Sequence, residues 1–343
     1  MKKYSLKVCN INKETSDTIT LCFKQPGLKK IKYQAGQYLT LSARINGRKY
    51  SRPYSFSSAP SCNSNLEITI KRVPGGVFSN YIHDFIQIDD IIEVMEPMGD
   101  FVYEQDENCN EIYFWGTGSG ITPLISIIKE ILISESKLKV NLIYGNKNFE
   151  STIFSELIEE MINKYPKNLQ VWYLHSQYKE DQNHHLVKSG RISREFVYDL
   201  LENIDLKTTK HYICGPNGLK DTIKETLSVL KCPEDNIFSE DFELVKNPKD
   251  FEDIKDHTVD VCYQGVNTFV NVGKGKSILE AALDLGLELP YSCQTGSCNT
   301  CKCTLMTGEL RMIGLSKERN DLRKEEYLLC CSYPLTDNVS VEI

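Results

Sequence analysis

Cysteines near the carboxyl end form the most specific chemical pattern in the sequence. Cys293, Cys298 and Cys301 follow the spacing C-x4-C-x2-C, and the pair Cys330-Cys331 follows at a distance. This is the plant-type [2Fe–2S] spacing, in which a tight loop presents three thiolates and a distant segment supplies the fourth. Small residues between the cysteines let backbone N–H groups point at the sulfurs. The spacing therefore predicts an iron–sulfur cluster, to which the rest of the chain would deliver electrons.

Zinc binding and disulfide bonds are the alternatives for these cysteines. Structural zinc sites usually pair two C-x2-C knuckles, and only one clean knuckle is present here. The chain has 13 cysteines, an odd number, and several fall within predicted strands, which favours a reducing compartment. Both observations favour the cluster.

Composition and charge exclude several classes of protein. The 343 residues suffice for two or three domains, and 41% hydrophobic with 25% charged residues is typical of a globular protein. The 40 basic and 47 acidic residues give a net charge of −7, and no basic stripe indicates nucleic-acid binding. No secretory leader or membrane span is predicted, because the longest apolar stretch, residues 121–133, is interrupted by Lys129-Glu130. The expected compartment is the cytoplasm.

The first 107 residues are rich in predicted strands. Alternating or β-branched segments are punctuated by Gly, Pro, Asn and Asp, and their spacing predicts an antiparallel β-barrel. The predicted strands are Ser5–Val8, Thr18–Phe23, Gln37–Leu41, Leu66–Lys71 and Ile91–Met95.

Two motifs inside this region suit a ring compound that carries phosphate. Arg52 offers a planar fork for phosphate, Tyr54 a flat face for stacking, and Ser55 a small donor beside the ring. Gly75-Gly76, followed by Ser79, resembles a phosphate cradle that opens a helix. The alternatives are a surface arginine on a strand and an ordinary Gly-Gly hairpin turn.

Residues 108–245 alternate strands and helices, which predicts a doubly wound α/β domain with a parallel sheet. The strand Ile112–Trp115 runs into a glycine-rich turn and the apolar helix Leu124–Ile133, the place where dinucleotides bind. The turn reads G-x-G-x-G rather than the usual G-x-G-x-x-G. Further elements are predicted at 138–144, near 152–164, near 169–174, near 193–202, at 211–214 and up to about Leu230.

The remaining chain predicts a linker and a third domain. Residues 246–256 are short, charged and contain a proline. A hairpin with its turn at Gly265–Asn267, a helix opened by the capping-box pair Ser277 and Glu280, the cysteine loop and a terminal strand follow. This arrangement is that of the α+β β-grasp fold of plant-type ferredoxins.

Together, and in this order, the motifs resemble the ferredoxin–NADP reductase superfamily. With a flavin domain, a nicotinamide domain and a C-terminal ferredoxin in that order, the chain resembles the reductase components that serve bacterial oxygenases. The phenylacetyl-CoA epoxidase reductase and hybrid-cluster-protein reductase types are the most similar. The resemblance covers essentially the whole chain. It implies an FAD-binding domain over 1–107, an NAD(P)-binding domain over 108–245, a linker over 246–256 and a [2Fe–2S] ferredoxin domain over 257–343. The Gly-Gly-x-x-Ser stretch favours FAD over FMN.

The resemblance also implies roles for individual residues. In that family the arginine of R-x-Y-S binds the flavin pyrophosphate, the tyrosine stacks on the isoalloxazine, and the serine bonds near flavin N5. The implied flavin-binding set is Arg52, Pro53, Tyr54, Ser55, Lys71, Val73, Gly76, Val77 and Ser79, with Asp241 and Phe242 at the flavin edge. The implied nicotinamide-binding set is Gly116, Gly118, Gly120, Thr122, Pro123, Asn146, Lys147, Gly215 and Pro216. Ser55 and Cys214, the latter beside the nicotinamide, are the implied catalytic residues.

Two choices stay open at this point. The second strand of the nucleotide domain ends without a carboxylate, and Lys147 suits a 2′-phosphate, so the sequence leans slightly to NADPH over NADH. For the cluster, the Leu-x-Cys-x-x-aromatic-Pro context favours Cys330 as the fourth ligand, and a different register would select Cys331.

The implied function is a reductase in which electrons pass from NAD(P)H to FAD, to the [2Fe–2S] cluster and to a separate protein. The implied acceptor is an oxygenase, a desaturase or a hybrid-cluster-type protein. In residues 257–343, 8 basic and 11 acidic residues give 8 − 11 = −3, which suits docking on a basic surface. The alternatives are a redox sensor or carrier without turnover, and a zinc-stabilised flavin reductase.

Overall fold

The computed structural model describes residues 2–27, 30–134, 137–178 and 187–343. The chain divides into two compact units. The first comprises residues 1–41 and 54–240, and the second comprises residues 42–53 and 241–343.

The first sheet is six-stranded, in the order β4-β3-β6-β1-β2-β5. Its strands are β1 (Lys3–Thr15), β2 (Thr18–Phe23), β3 (Tyr38–Ile45), β4 (Arg48–Ser55), β5 (Leu66–Lys71) and β6 (Ile91–Met95). The long strand β1 pairs antiparallel with β6 along its first half and with β2 along its second half, and register shifts interrupt its pairing with β2. Such irregularities bend a strand and let a sheet curl, as the predicted barrel requires. Helix α1 (Val77–Phe85) follows β5.

The second sheet is the predicted parallel sheet, in the order β10-β9-β8-β7-β11-β12. Its neighbouring strands all pair in parallel. The strands and helices are, in chain order, β7 (Glu111–Thr117), α2 (Ile121–Ser134), β8 (Lys139–Asn146), α3 (Ser155–Lys164), β9 (Leu169–His175), β10 (Val187–Ser189), α4 (Arg194–Leu201), β11 (Thr209–Cys214), α5 (Asn217–Val229) and β12 (Ile237–Glu240). The strand order reverses at β7, so the carboxyl ends of β7 and β11 form a crevice of the kind that binds dinucleotides.

Helix α2 is buried on most of its circumference, with 10 of its 14 residues inside the core. A helix that is apolar all round must be covered on all sides. One side covers the parallel sheet, and another meets the loop at Gly36, where an added Cβ would come within 2.9 Å of Ile127. Ser126 attaches α2 to the segments at Gly36 and Ser58. Its hydroxyl accepts from the Gly36 N–H at 3.3 Å and donates to the Ser58 carbonyl at 2.5 Å.

Two helices begin at residues other than those predicted. Helix α2 begins at Ile121 rather than at Leu124, directly after the glycine-rich turn. The helix predicted near 152–164 begins at Ser155, because Phe154 adopts the left-handed conformation with φ +63°. A 3-10 turn capped by Asn148 precedes it, at Phe149–Ser151. This local change of backbone direction leaves no trace in the pattern of hydrophobic residues, so the sequence did not predict it.

The carboxyl-terminal part has the β-grasp arrangement that the sequence predicts. The elements are β13 (His257–Tyr263), β14 (Val266–Val272), α6 (Ile278–Asp284), β15 (Lys302–Thr307), β16 (Leu310–Met312), β17 (Glu326–Leu328), β18 (Ser332–Pro334) and β19 (Ser340–Glu342). One sheet has the order β14-β13-β19-β15-β17, and β16 pairs with β18. Ser277 and Glu280 form the predicted capping box. The hairpin turn lies at Gln264-Gly265 rather than at 265–267, because these two residues take the positive φ values that a tight turn needs.

The segment predicted as a linker is packed onto this unit. It contains a 3-10 turn, Pro248–Phe251, and buries Phe251 and Ile254 against Ile313 and Tyr333. The segment is therefore not a free linker, because these two apolar side chains attach it to the unit although most of its residues are charged or polar. The predicted domain boundaries themselves stay a prediction.

Among the described residues, no helix is long and apolar enough to cross a bilayer.

Candidate functional site

The turn after β5 is shaped as a cradle for an anion. Gly75 has φ +73°, and a Cβ on Gly76 would lie 2.9 Å from Ser79 Oγ and 3.0 Å from Val73 Cβ. Ser79 Oγ accepts from the Val73 N–H at 3.1 Å, which closes the turn. Helix α1 begins directly after Gly76 without a side-chain cap, so its first N–H groups stay available. The turn and the uncapped helix end therefore have a geometry that could accept an anion.

Exposed apolar side chains flank this cradle. Val73 is 55% exposed and Val77 is 48% exposed. An anion site with bare valines at its rim suits a ligand that carries both phosphate and flat rings, such as a flavin dinucleotide. Lys71, at the end of β5, forms an ion pair with Asp17 at 3.5 Å. The residues present thus fit FAD.

The predicted R-x-Y-S motif lies at the end of β4. The Arg52 Nη1 donates to the Ser51 carbonyl at 2.8 Å, and Pro53 follows it in the strand. The ring of Tyr54 lies 6.2 Å from that of Phe78, nearly parallel, and Ser55 is buried.

The glycine-rich turn and the Cys214-Gly215-Pro216 turn, both assigned to the nicotinamide site in the sequence analysis, touch one another. Gly116 and Cys214 are partners in the parallel ladder of β7 and β11. A Cβ on Gly120 would lie 2.2 Å from the Cys214 carbonyl oxygen, so only glycine fits there. Gly118 takes φ +52° in the short 3-10 turn that precedes α2.

Two helices begin at this crevice. Thr122 and Pro123 lie in the first turn of α2, where Thr122 Oγ1 donates to the Ser119 carbonyl at 3.0 Å. Pro216 precedes α5, whose amino-terminal end has no side-chain cap. The free N–H groups of such a helix end suit a pyrophosphate.

Thr117 is a residue of this crevice that the sequence reasoning passed over. Its Oγ1 is buried and has no hydrogen-bond partner among the described residues, and a Cβ on Gly215 would lie 2.7 Å from it. Buried polar atoms in folded proteins are rarely left without a hydrogen-bond partner. An unpaired one therefore indicates a place where a ligand could bond. Its place between Gly116 and Gly118 was the only available signal.

The residues predicted for the coenzyme ribose and the flavin edge lie at strand ends. Asn146 ends β8, and the exposed Lys147 follows it with its carbonyl accepting from the Gln177 N–H at 2.8 Å. Asp241 and Phe242 follow β12 and belong to the second unit, where Phe242 is 45% exposed.

The cysteine loop has the backbone of a sulfur-binding site. Gln294 and Gly296 both take positive φ, which folds the loop tightly. The backbone N–H groups of Thr295 and Cys298 donate to Cys293 Sγ at 3.4 and 3.3 Å. Donors aimed at a thiolate sulfur stabilise its charge and suit a metal-bound sulfur.

The structure gathers the thiols of all four predicted ligands. A hydrogen bond from the Cys298 thiol is the main cause that lowers the pKa of Cys293, and one from Cys330 is the second. Cys330 likewise lowers the pKa of Cys301. In contrast, burial raises the pKa of Cys303 to about 12. The four gathered thiols fit a [2Fe–2S] cluster.

Cys331 lies close by but makes different contacts. Its Sγ donates to the Leu328 carbonyl at 3.5 Å, and its side chain is fully buried in the core of the domain. It also contacts the Cys330 thiol.

The sequence reasoning missed two residues that support the cysteine loop. Arg319 donates to the Gly296 carbonyl and to Asn299 Oδ1 within the loop. The Tyr291 hydroxyl, two residues before Cys293, accepts from the Ser51 N–H at 2.9 Å. Neither contact has a local sequence signal, because each joins segments far apart in the chain.

Three sequence-family profiles match the chain in the order that the motifs suggest. They are an oxidoreductase FAD-binding domain over residues 5–103, an oxidoreductase NAD-binding domain over 114–225 and a 2Fe-2S iron-sulfur cluster binding domain over 262–335.

Similar proteins align along their whole length. A component of the 1,2-phenylacetyl-CoA epoxidase of Escherichia coli K12 is 33% identical, over 99% of this chain and 97% of the relative. The ferredoxin reductase component of the Rhodococcus rhodochrous 3-ketosteroid-9-alpha-monooxygenase is 29% identical, over 98% and 96%. The solved structure of phthalate dioxygenase reductase has a similar fold, with a TM-score of 0.69 and 21% identity, over 99% of this chain and 98% of that one.

Proposed function

Because this chain belongs to the family of ferredoxin–NADP reductase-type proteins that carry a C-terminal [2Fe–2S] domain, we propose that it is the reductase component of an oxygenase system. Like its relatives, it is an NAD(P)H-dependent oxidoreductase that contains FAD and a [2Fe–2S] cluster. When bound, FAD takes electrons in pairs from the nicotinamide and passes them singly to the cluster.

The observation that carries the proposal is the gathering of four thiols in a domain that follows a flavin domain and a nucleotide domain. Cys293, Cys298, Cys301 and Cys330 hold the cluster. The gathering of these four thiols supports Cys330 over Cys331, whose thiol donates to a backbone carbonyl instead.

The flavin is held by the end of β4 and the cradle before α1. Arg52 and the N–H groups in the first turn of α1, from Val77 onward, bind the pyrophosphate, since both are donors suited to phosphate. Tyr54 stacks on the ring system, and Ser55 donates beside it. The remaining members of the set are Pro53, Lys71, Val73, Ser79, Asp241 and Phe242.

The nicotinamide lies against the wall that the turns at Gly116–Gly120 and Cys214–Pro216 form together. Gly120 packs so closely against the Cys214 carbonyl that no side chain fits between the two turns. This contact holds the two turns in place as one wall of the crevice. Thr122, Pro123 and Cys214 face the reacting end of the coenzyme, and Asn146 and Lys147 its ribose. The exposed Lys147 and the missing carboxylate support NADPH as the preferred coenzyme.

The partner is an oxygenase, because the relatives are named as components of oxygenase systems. Those relatives are components of an epoxidase, of a steroid monooxygenase and, at 24% identity, of glycine betaine monooxygenase. The protein acts in the cytoplasm, where its 13 cysteines stay reduced. Its domains extend over residues 1–107, 108–245 and 257–343, with residues 246–256 between the last two.

Steady-state turnover with two acceptors tests the proposal. The wild type reduces both a dye that accepts electrons from the flavin and a one-electron protein acceptor such as cytochrome c. Cys298→Ser keeps the first activity and loses the second, because only the second needs the cluster. Equal loss of both activities in Cys298→Ser, with flavin content unchanged, would contradict the proposed order of carriers.

A further inference from the structure

A covering segment, residues 314–322, contacts the cysteine loop through Leu315, Arg319 and Asp321. A Cβ on Gly296 would lie 2.2 Å from Leu315 Cδ2, so the loop and the covering segment are in direct contact. Gly296 also has φ +73°, and its carbonyl turns outward to accept a hydrogen bond from Arg319. The loop is therefore held from outside as well as by its own turns.

Arg319 is the central contact of this covering segment. Its Nη1 donates to the Gly296 carbonyl, and its Nη2 donates to Asn299 Oδ1. Its Nε and Nη2 also donate to the two oxygens of Asp321, each at 2.8 Å. Asp321 in turn accepts from Asn299 Nδ2 at 3.3 Å. A guanidinium is the one side chain whose planar set of five donors satisfies such a group of acceptors at once.

The charge of Arg319 is poorly screened by solvent. The side chain is 11% exposed, whereas its partner Asp321 is 51% exposed. Arg319 is also close enough to Cys293 and Cys298 to interact electrostatically with their thiolates. Exposed charges are screened by water and salt, so the charge of Asp321 is screened more strongly than that of Arg319.

We propose that Arg319 is a positioning residue for the iron–sulfur cluster, which fixes the loop at Gly296 and Asn299 and raises the reduction potential of the cluster. The proposal rests on the ligand set given above. Reduction adds a negative charge to the cluster, and a nearby cation with little solvent exposure stabilises that charge. The hydrogen bond from Arg319 to the Gly296 carbonyl holds the loop in one conformation. In that conformation the Thr295 and Cys298 N–H groups point at Cys293 Sγ.

Three variants of the full-length holoprotein test this role. Arg319→Gln removes both the charge and the fork, and Arg319→Lys keeps the charge but loses the fork. The matched control is Arg311→Gln, since Arg311 makes a two-bonded pair with Asp253 on the same unit, at 2.9 and 2.8 Å. Two quantities are measured: the midpoint potential of the cluster, by redox titration followed by EPR, and the rate of iron loss to a chelator.

Arg319→Gln should shift the potential to a more negative value than the control and lose iron about tenfold faster. Arg319→Lys should keep most of the potential but also lose iron faster than the wild type. A potential in Arg319→Gln that equals that of Arg311→Gln would overturn the inference. If Arg319→Gln assembles no cluster, the Lys variant decides: iron loss at the wild-type rate overturns the role.

The same measurements separate this inference from the ligand set. A wild-type protein without the signal of a reduced cluster would overturn both. A wild-type signal, with no difference between the Arg319 and Arg311 variants, would overturn only the role of Arg319.

Discussion

The backbone N–H of Ser51 donates a hydrogen bond of 2.9 Å to the hydroxyl of Tyr291. Both residues are buried. Ser51 directly precedes Arg52 in β4, and Tyr291 lies two residues before Cys293. One hydrogen bond therefore joins the strand of the proposed flavin site to the proposed cluster loop.

Tyr291→Phe should slow reduction of the cluster without removing it. The substitution leaves a buried N–H without an acceptor, which costs about 1–3 kcal/mol and loosens residues 42–53 from the loop. Stopped-flow absorbance should show flavin reduction at the wild-type rate and cluster reduction at a lower rate. Tyr263→Phe is the control, because the hydroxyl of Tyr263 contacts only the neighbouring Gln264 side chain among the hydrogen bonds described. Identical traces for the two variants would refute the role of the Tyr291 hydroxyl.

An ion pair reinforces this attachment. Arg44 pairs with Glu288 at 2.6 Å, and both side chains are more than half exposed. Exposed pairs contribute about 0.2–1 kcal/mol and weaken with salt. Arg44→Glu should therefore slow cluster reduction by roughly two- to fivefold at low ionic strength. Adding Glu288→Arg should restore the rate, and a double variant as slow as Arg44→Glu would show that the pair is not coupled.

Gly120→Ala should disable the nicotinamide crevice while flavin stays bound. The new Cβ would lie 2.2 Å from the Cys214 carbonyl oxygen and 2.7 Å from its carbon, and backbone atoms cannot move aside cheaply. Displacing a reacting group by about 1 Å costs roughly a hundredfold in rate. Flavin reduction by NADPH should slow by about that factor. Gly27→Ala, which meets no atom within 4 Å, should react like the wild type.

His211 makes the stability of the first unit dependent on pH. Burial lowers the pKa of this histidine to about 3. The neutral ring accepts from Trp115 Nε1 at 3.2 Å and bonds Thr209 Oγ1 at 3.0 Å. In the unfolded chain His211 binds a proton below its ordinary pKa of about 6.5, while the folded protein does not. The free energy of unfolding should therefore fall as the pH decreases from about 6.5 towards 3.

His211→Gln removes this dependence on one proton. Thermal unfolding measured between pH 7 and pH 5 should give a shallower decrease in Tm for the variant than for the wild type, whatever the variant's absolute stability. Parallel curves for the two proteins would show that His211 does not titrate on unfolding.

Replacing each of the two adjacent cysteines decides the fourth ligand. Cys330→Ser should lose the visible bands and most of the iron, because its thiol is among the four that gather. Cys331→Ser should keep both, since the Cys331 thiol donates to a backbone carbonyl. The reverse result would assign the ligand to Cys331.

Much of the fold follows from local patterns. The strands Thr18–Phe23, Leu66–Lys71 and Ile91–Met95 have the predicted bounds, because alternation and flanking turn residues define both ends. Strand β4 was not predicted, since it is polar and contains a proline. The short strands β10 and β16–β18 depend on distant partners rather than on their own composition.

The site divides in the same way. The tight turns of the cysteine loop and of Gly75-Gly76 were predictable, because turn geometry depends on residues within one segment. The contacts of Arg319, Tyr291 and Thr117 were not, because each forms between segments that only the fold brings together.

Anaerobic titration of the purified holoprotein with NADPH, followed by absorbance and EPR, tests the central claim most directly. We expect the flavin and iron–sulfur bands to bleach together and the EPR signal of a reduced [2Fe–2S] cluster to appear. The same titration with NADH should need a higher concentration or a longer time. Bleaching of the flavin without any iron–sulfur signal would contradict the account, since electrons would then end at the flavin.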